Sequence, residues 1–113
     1  MLSEQDGEQM VIVEFQYSRT DLAPLFELEE RLVRALEISC VGVYDRNTMG
    51  VHGSRGCLTL YGPDAEKIFA VIQPFLADAP FLRNPQAIVR YGSSNDADVE
   101  QRLVPISVIH ASV

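Results

Sequence analysis

An α+β fold, an antiparallel sheet carrying two helices on one face, is predicted by three observations. Segments of strand composition alternate with two amphipathic helical segments in the order βαββαβ. At Tyr61-Gly62-Pro63-Asp64-Ala65 a period-two pattern gives way abruptly to a helical one. The 113 residues, 47% hydrophobic and 22% charged, suffice for a single core without disulfide staples.

Met10 to Tyr17 alternates, with Val11, Val13, Phe15 and Tyr17 pointing one way and Met10, Ile12, Glu14 and Gln16 the other, as a half-buried strand requires. Thr20 and Asp21 supply N-cap chemistry, and Pro24 falls in the first turn, where its missing N–H costs little. The stripe Leu22, Leu25, Phe26, Leu28, Leu32, Val33, Ala35 and Leu36 then predicts an amphipathic helix whose Glu27, Glu29 and Glu30 form a solvated face.

Ile38 to Asp45 and Arg55 to Tyr61 have strand composition, and the turn-rich residues 46–54 between them predict a hairpin with a long tip. Gly62 ends the second of these strands, Pro63 presets helical φ at the first helical position, and Asp64 and Glu66 place negative charge at the helix's positive end. Ala65, Ile68, Phe69, Ile72, Phe75 and Leu76 form its buried stripe, and Pro74 is expected to kink the helix near Ala70 or to end it early. Gln86 to Tyr91 reads as a fourth strand, and Val99 to Val104 as a fifth, at the sheet edge before Pro105. The arrangement expected is a ferredoxin-like sandwich over 10–104, with an acidic N-terminal tail over 1–9 and a C-terminal tail over 105–113.

Charge narrows the function classes. Nine basic against sixteen acidic residues give a net charge of −7, which repels phosphate backbones and anionic membranes and favours a basic partner. The RNA-recognition motif shares the βαββαβ order, but Cys57 and Thr59 stand where its stacking aromatics belong. No apolar run approaches the roughly 20 residues of a membrane span, and the acidic start is the reverse of a signal peptide's, so a cytoplasmic location is expected.

Cys40 and Cys57 read as free thiols on one face of the hairpin, and together with His52 they lack the convergence and fourth partner of a metal site. Neither metal nor cofactor is expected. Residues 50–56, though glycine-rich, connect two strands and so are not a phosphate loop. His52, near Asp45, Arg46 and Arg55, is the one candidate for acid-base chemistry, and no rigid shell is visible around it. A solvated loop residue is the simpler description. His110 lies beside the C-terminus.

If the helices cover one sheet face, alternation turns Ile12, Glu14, Gln16, Cys40, Gly42, Tyr44, Cys57, Thr59, Tyr61, Ile88 and Arg90 to the other. Such a face either supplies strand propensity and cross-strand packing alone or is a contact surface, with Ile12, Glu14, Tyr44, Thr59, Tyr61, Ile88 and Arg90 as interface residues. The expected function is therefore a non-catalytic module that self-associates, as a homodimer, or binds a protein partner. An immunity or antitoxin-like protein neutralising a basic toxin is the first alternative, and a small enzyme using His52 or a sheet-face carboxylate is the second.

Tyr61-Gly62-Pro63-Asp64-Ala65, the helix through Ile72-Gln73-Pro74-Phe75-Leu76, and Val89-Arg90-Tyr91-Gly92 together resemble a group of small, uncharacterised bacterial proteins with a Y-G-P-D-A, helix, R-Y-G arrangement. The resemblance covers the second half of the chain. It implies a bacterial source and the same sandwich, brings no activity, and includes neither His52 nor the cysteines.

Overall fold

A computed structural model describes residues 9–17, 21–49, 55–92 and 100–108. In chain order they form β1 (Gln9–Tyr17), α1 (Ala23–Ser39), β2 (Val43–Met49), β3 (Arg55–Gly62), α2 (Ala65–Ala77), β4 (Leu82–Arg90) and β5 (Gln101–Pro105). The strands make one open sheet in the order β2-β3-β1-β4-β5 with every neighbouring pair antiparallel. The α+β class expected from the sequence is the class observed.

β1 lies at the centre, and its Val11, Val13, Phe15 and Tyr17 are buried as their alternation requires. Leu58 and Leu60 of β3, with Ala87 and Val89 of β4, extend that face. Leu25, Leu28, Leu32 and Leu36 of α1 and Ile68, Phe69, Ile72 and Leu76 of α2 close it into one core. Each such side chain contributes about 1.5–3 kcal/mol relative to exposure. The apolar stripe of α1 is wider in sequence than in burial, since Leu22, Phe26 and Val33 remain exposed.

Helix ends follow local chemistry. The Asp21 carboxylate accepts from the Ala23 N–H at 3.0 Å, and Leu22 is the capping position; Thr20 lies outside the described residues. Asp64, rather than Pro63, opens α2, its Oδ1 accepting from the N–H groups of Glu66 and Lys67. Pro63 thus stands one residue before the cap instead of at the first helical position. α2 also runs unbroken through Pro74 to Ala77. The carbonyl that Pro74 leaves without a helical donor belongs to Ala70, an exposed residue, so water can satisfy it.

The first hairpin strand departs most from expectation. Ile38 and Ser39 are the last residues of α1, and Cys40 caps it at φ 58°, its N–H donating to the Leu36 carbonyl at 2.8 Å. Strand pairing begins only at Val43 and reaches Met49, well into the segment expected to be a loop. Residues 50–54, including His52, lie outside the described residues, as does His110. Between Cys40 and β2, Gly42 passes so close to β3 that a Cβ would overlap the Tyr61 carbonyl, and a Cβ on Gly62 would overlap that of Val41. The two glycines are required by this crossing, which Ile68 underlies. Later boundaries shift less: β4 starts four residues earlier than expected, and β5 occupies Gln101–Pro105.

Candidate functional site

Cross-strand register assigns the face turned away from the helices. One row runs Val43, Tyr61, Met10, Arg90, Gln101 across all five strands; the next runs Arg46, Thr59, Ile12, Ile88, Leu103; a third runs Thr48, Cys57, Glu14, Gln86, Pro105. Of the interface residues expected from sequence, Ile12, Glu14, Thr59, Tyr61, Ile88 and Arg90 fall on this face.

Tyr44 does not. It pairs with the core residue Leu60 and turns toward α1, where its hydroxyl donates to Glu29 Oε2 at 2.7 Å and the Asn47 amide donates to the same oxygen. Two events displace it. The late start of β2 hands the outward position opposite Tyr61 to Val43, and a β-bulge between Tyr44 and Arg46 then re-phases the strand. Burial, followed by the hydrogen bond to Glu29 and its charge, raises the Tyr44 phenol well above the usual tyrosine value. Glu29 is accordingly an anchor between α1 and an edge strand, where the sequence suggested a solvated residue. Cys40 and Gly42 also leave the outer face, since neither belongs to a strand, and the two cysteines no longer share a hairpin face. Both are free thiols, Cys40 exposed and Cys57 partly buried.

Within the first two rows Val43, Tyr61, Met10, Ile12, Ile88 and Leu103 form an apolar band, interspersed with Thr59, Arg90 and Gln101. Val43 is 62% and Leu103 59% exposed at its two edges, with Tyr61, Ile12 and Ile88 partly exposed between them. Met10, on the same side, is only 4% exposed and lies between Tyr61 and Arg90, whose Nη1 donates to Gln101 Oε1 at 2.8 Å.

The third row is polar and hollow. A cleft of about 430 Å³ opens beside Glu14, Gln16, Thr48, Arg55, Cys57, Asn84 and Gln86. Its shape follows from a register shift between Glu14 and Gln16 in the β1–β4 pairing, and from Asn84, which adopts φ 51° within β4. Asparagine tolerates this left-handed conformation better than other side chains bearing a Cβ. The Asn84 amide donates to Gln16 Oε1 at 3.1 Å, and Gln86 Nε2 donates to Glu14 Oε1 at 3.0 Å. Burial, then the Glu14 charge, raises the Cys57 thiol, while Arg55 pulls it the other way. A thiol so held is a poor nucleophile at neutral pH.

On the far side of the sheet edge, Glu66 of α2 accepts from Arg102 Nη2 of β5 at 2.7 Å and from the Tyr91 hydroxyl. The Arg102 hydrogen bond, then that from Tyr91, lowers the Glu66 carboxyl. This exposed cluster ties β5 to the helix layer. Among the described residues no group of three or more His, Cys, Asp or Glu side chains is placed to hold a metal, and no helix is long and apolar enough to cross a membrane.

The chain matches no family model, and comparison with curated proteins and with solved structures likewise gives no match.

Proposed function

We propose that this protein acts by association rather than catalysis, pairing with a second copy through the apolar band of its helix-free sheet face. The observation carrying this reading is the continuity of Val43, Tyr61, Ile12, Ile88 and Leu103 across five strands, two of them more than half exposed. Sheet faces pack about 10 Å apart when their side chains interdigitate, and large amphipathic side chains such as Tyr61 are favoured at such contacts. A second copy suits this band because it presents the same apolar surface, and burial of that surface is the driving force that must outweigh repulsion between two chains of net charge −7.

The same reading takes β2-β3-β1-β4 with α1 and α2 as a ferredoxin-like unit to which β5 is appended, in a bacterial, cytoplasmic protein. The adjacency of β1 to both β3 and β4, with β2 outermost, supports the fold assignment. Light scattering over a dilution series tests the association: wild type gives twice the chain mass and dissociates on dilution, while Leu103→Asp gives the single-chain mass throughout. A wild type that is monomeric at every concentration rejects the proposal.

A further inference from the structure

The polar cleft at the other end of the same face is lined by side chains of four strands, and the proposed apolar contact does not use it. Its two charged side chains come from adjacent strands: Glu14 faces Cys57, and Arg55 lies two residues before Cys57, opposite Gln16. They are therefore diagonal neighbours, with Cβ atoms on the order of 7–8 Å apart. No ion pair joins them among the described residues. Glu14 gives one oxygen to Gln86, and Asn84 holds Gln16, so the amides that could rotate are fixed by hydrogen bonds along the floor.

A carboxylate and a guanidinium that border one cavity without joining each other make a dipolar receptor. The chemistry that satisfies both is a small molecule carrying an ammonium and a carboxylate, the first bound by Glu14 and the second by the guanidinium fork. A cavity of about 430 Å³ accommodates one such molecule with its water. We infer that the cleft between Glu14 and Arg55 binds a small zwitterion of the free amino acid class. Asn84 has a part in this beyond hydrogen bonding, because its left-handed backbone at the bulge opens the sheet where the cavity lies.

Cys57 lines the cleft and reports its occupancy, while the exposed Cys40, placed at the end of α1, serves as an internal control. Alkylation of the full chain by N-ethylmaleimide at mildly alkaline pH, where the raised Cys57 thiol reacts, is followed by peptide mass mapping during titration with glycine, L-alanine, β-alanine or γ-aminobutyrate. Acetate and methylammonium are the single-charge controls. At least one zwitterion slows Cys57 labelling as 1 + [L]/Kd, roughly fivefold at about four times Kd, with Cys40 unaffected. Glu14→Gln and Arg55→Gln each remove the protection; Arg55 is exposed, so its replacement leaves the core intact.

Labelling that stays constant with every zwitterion up to roughly 100 mM, the limit of meaningful affinity, overturns the inference. So does equal protection by acetate or methylammonium, or protection that persists in both variants. The same titration on Leu103→Asp, whose substitution lies outside the cleft, separates this result from the fate of the association model. Protection retained in that variant supports the zwitterion site, whatever the oligomeric state.

Discussion

The two ends of the helix-free sheet face are built from the same strands yet have opposite characters. Where Val43, Tyr61, Met10, Ile12, Ile88 and Leu103 meet, apolar side chains run across all five strands, and β1 keeps regular register with both β3 and β4. Where Glu14, Gln16, Arg55, Asn84 and Gln86 meet, β1 and β4 slip past one another and a polar cleft opens. Strand alternation decides only which face a side chain joins. Local irregularity decides whether that part of the face is flat enough to dock on or hollow enough to hold a ligand.

The largest expected effect falls on the flat end. Val43→Asp weakens association by at least about 2 kcal/mol, roughly thirtyfold in Kd, because a carboxylate is desolvated there without a partner. Phe26→Asp, also at a residue more than half exposed but on α1, leaves the mass unchanged. Sedimentation of the two variants side by side checks this, and equal masses for both would show that the sheet face has no special part in association.

The hollow end is sharpened by Asn84→Ala. A non-glycine residue without asparagine's local hydrogen bonding costs about 1–2 kcal/mol in the left-handed region, so urea denaturation shifts to a lower midpoint by that amount. Tyr44→Phe is the control for the helix side. It removes one of two donors to Glu29, costs about 1 kcal/mol by the same measurement, and does not alter association.

The smallest effect concerns pH. Glu66 titrates lower in the folded chain than unfolded, so its contribution to stability is present above the ordinary glutamate value of about 4.3 and fades as pH falls through the lowered one. The ion pair is exposed, and salt screens it. Thermal melts of Glu66→Gln and wild type therefore converge as the solution is acidified and differ slightly near neutrality.

Sequence patterning made β1 legible, because one strand sandwiched between two others and covered by helices must alternate. It placed the start of α2 to within two residues, because Gly62 and Pro63 break the strand locally, but it put Pro63 inside the helix and did not read Asp64 as the cap. Tyr44 was not legible. Its face depends on where α1 stops, at a left-handed Cys40, and on a bulge two strands from the centre, neither of which is encoded in the period of residues 38–45. Glu29 was misread for a related reason, since its donors lie 15 and 18 residues away on another element. The cleft escaped notice because it gathers residues from four strands around a register shift, and Asn84 fell before the strand expected to begin at Gln86.

Sedimentation equilibrium of Tyr61→Asp beside Thr48→Asp decides whether the apolar band pairs two copies, because both place a carboxylate on the same sheet face, one in the apolar band and one at the cleft. Tyr61→Asp is expected at the single-chain mass and Thr48→Asp at the doubled mass of wild type. Equal masses for the two would contradict that pairing.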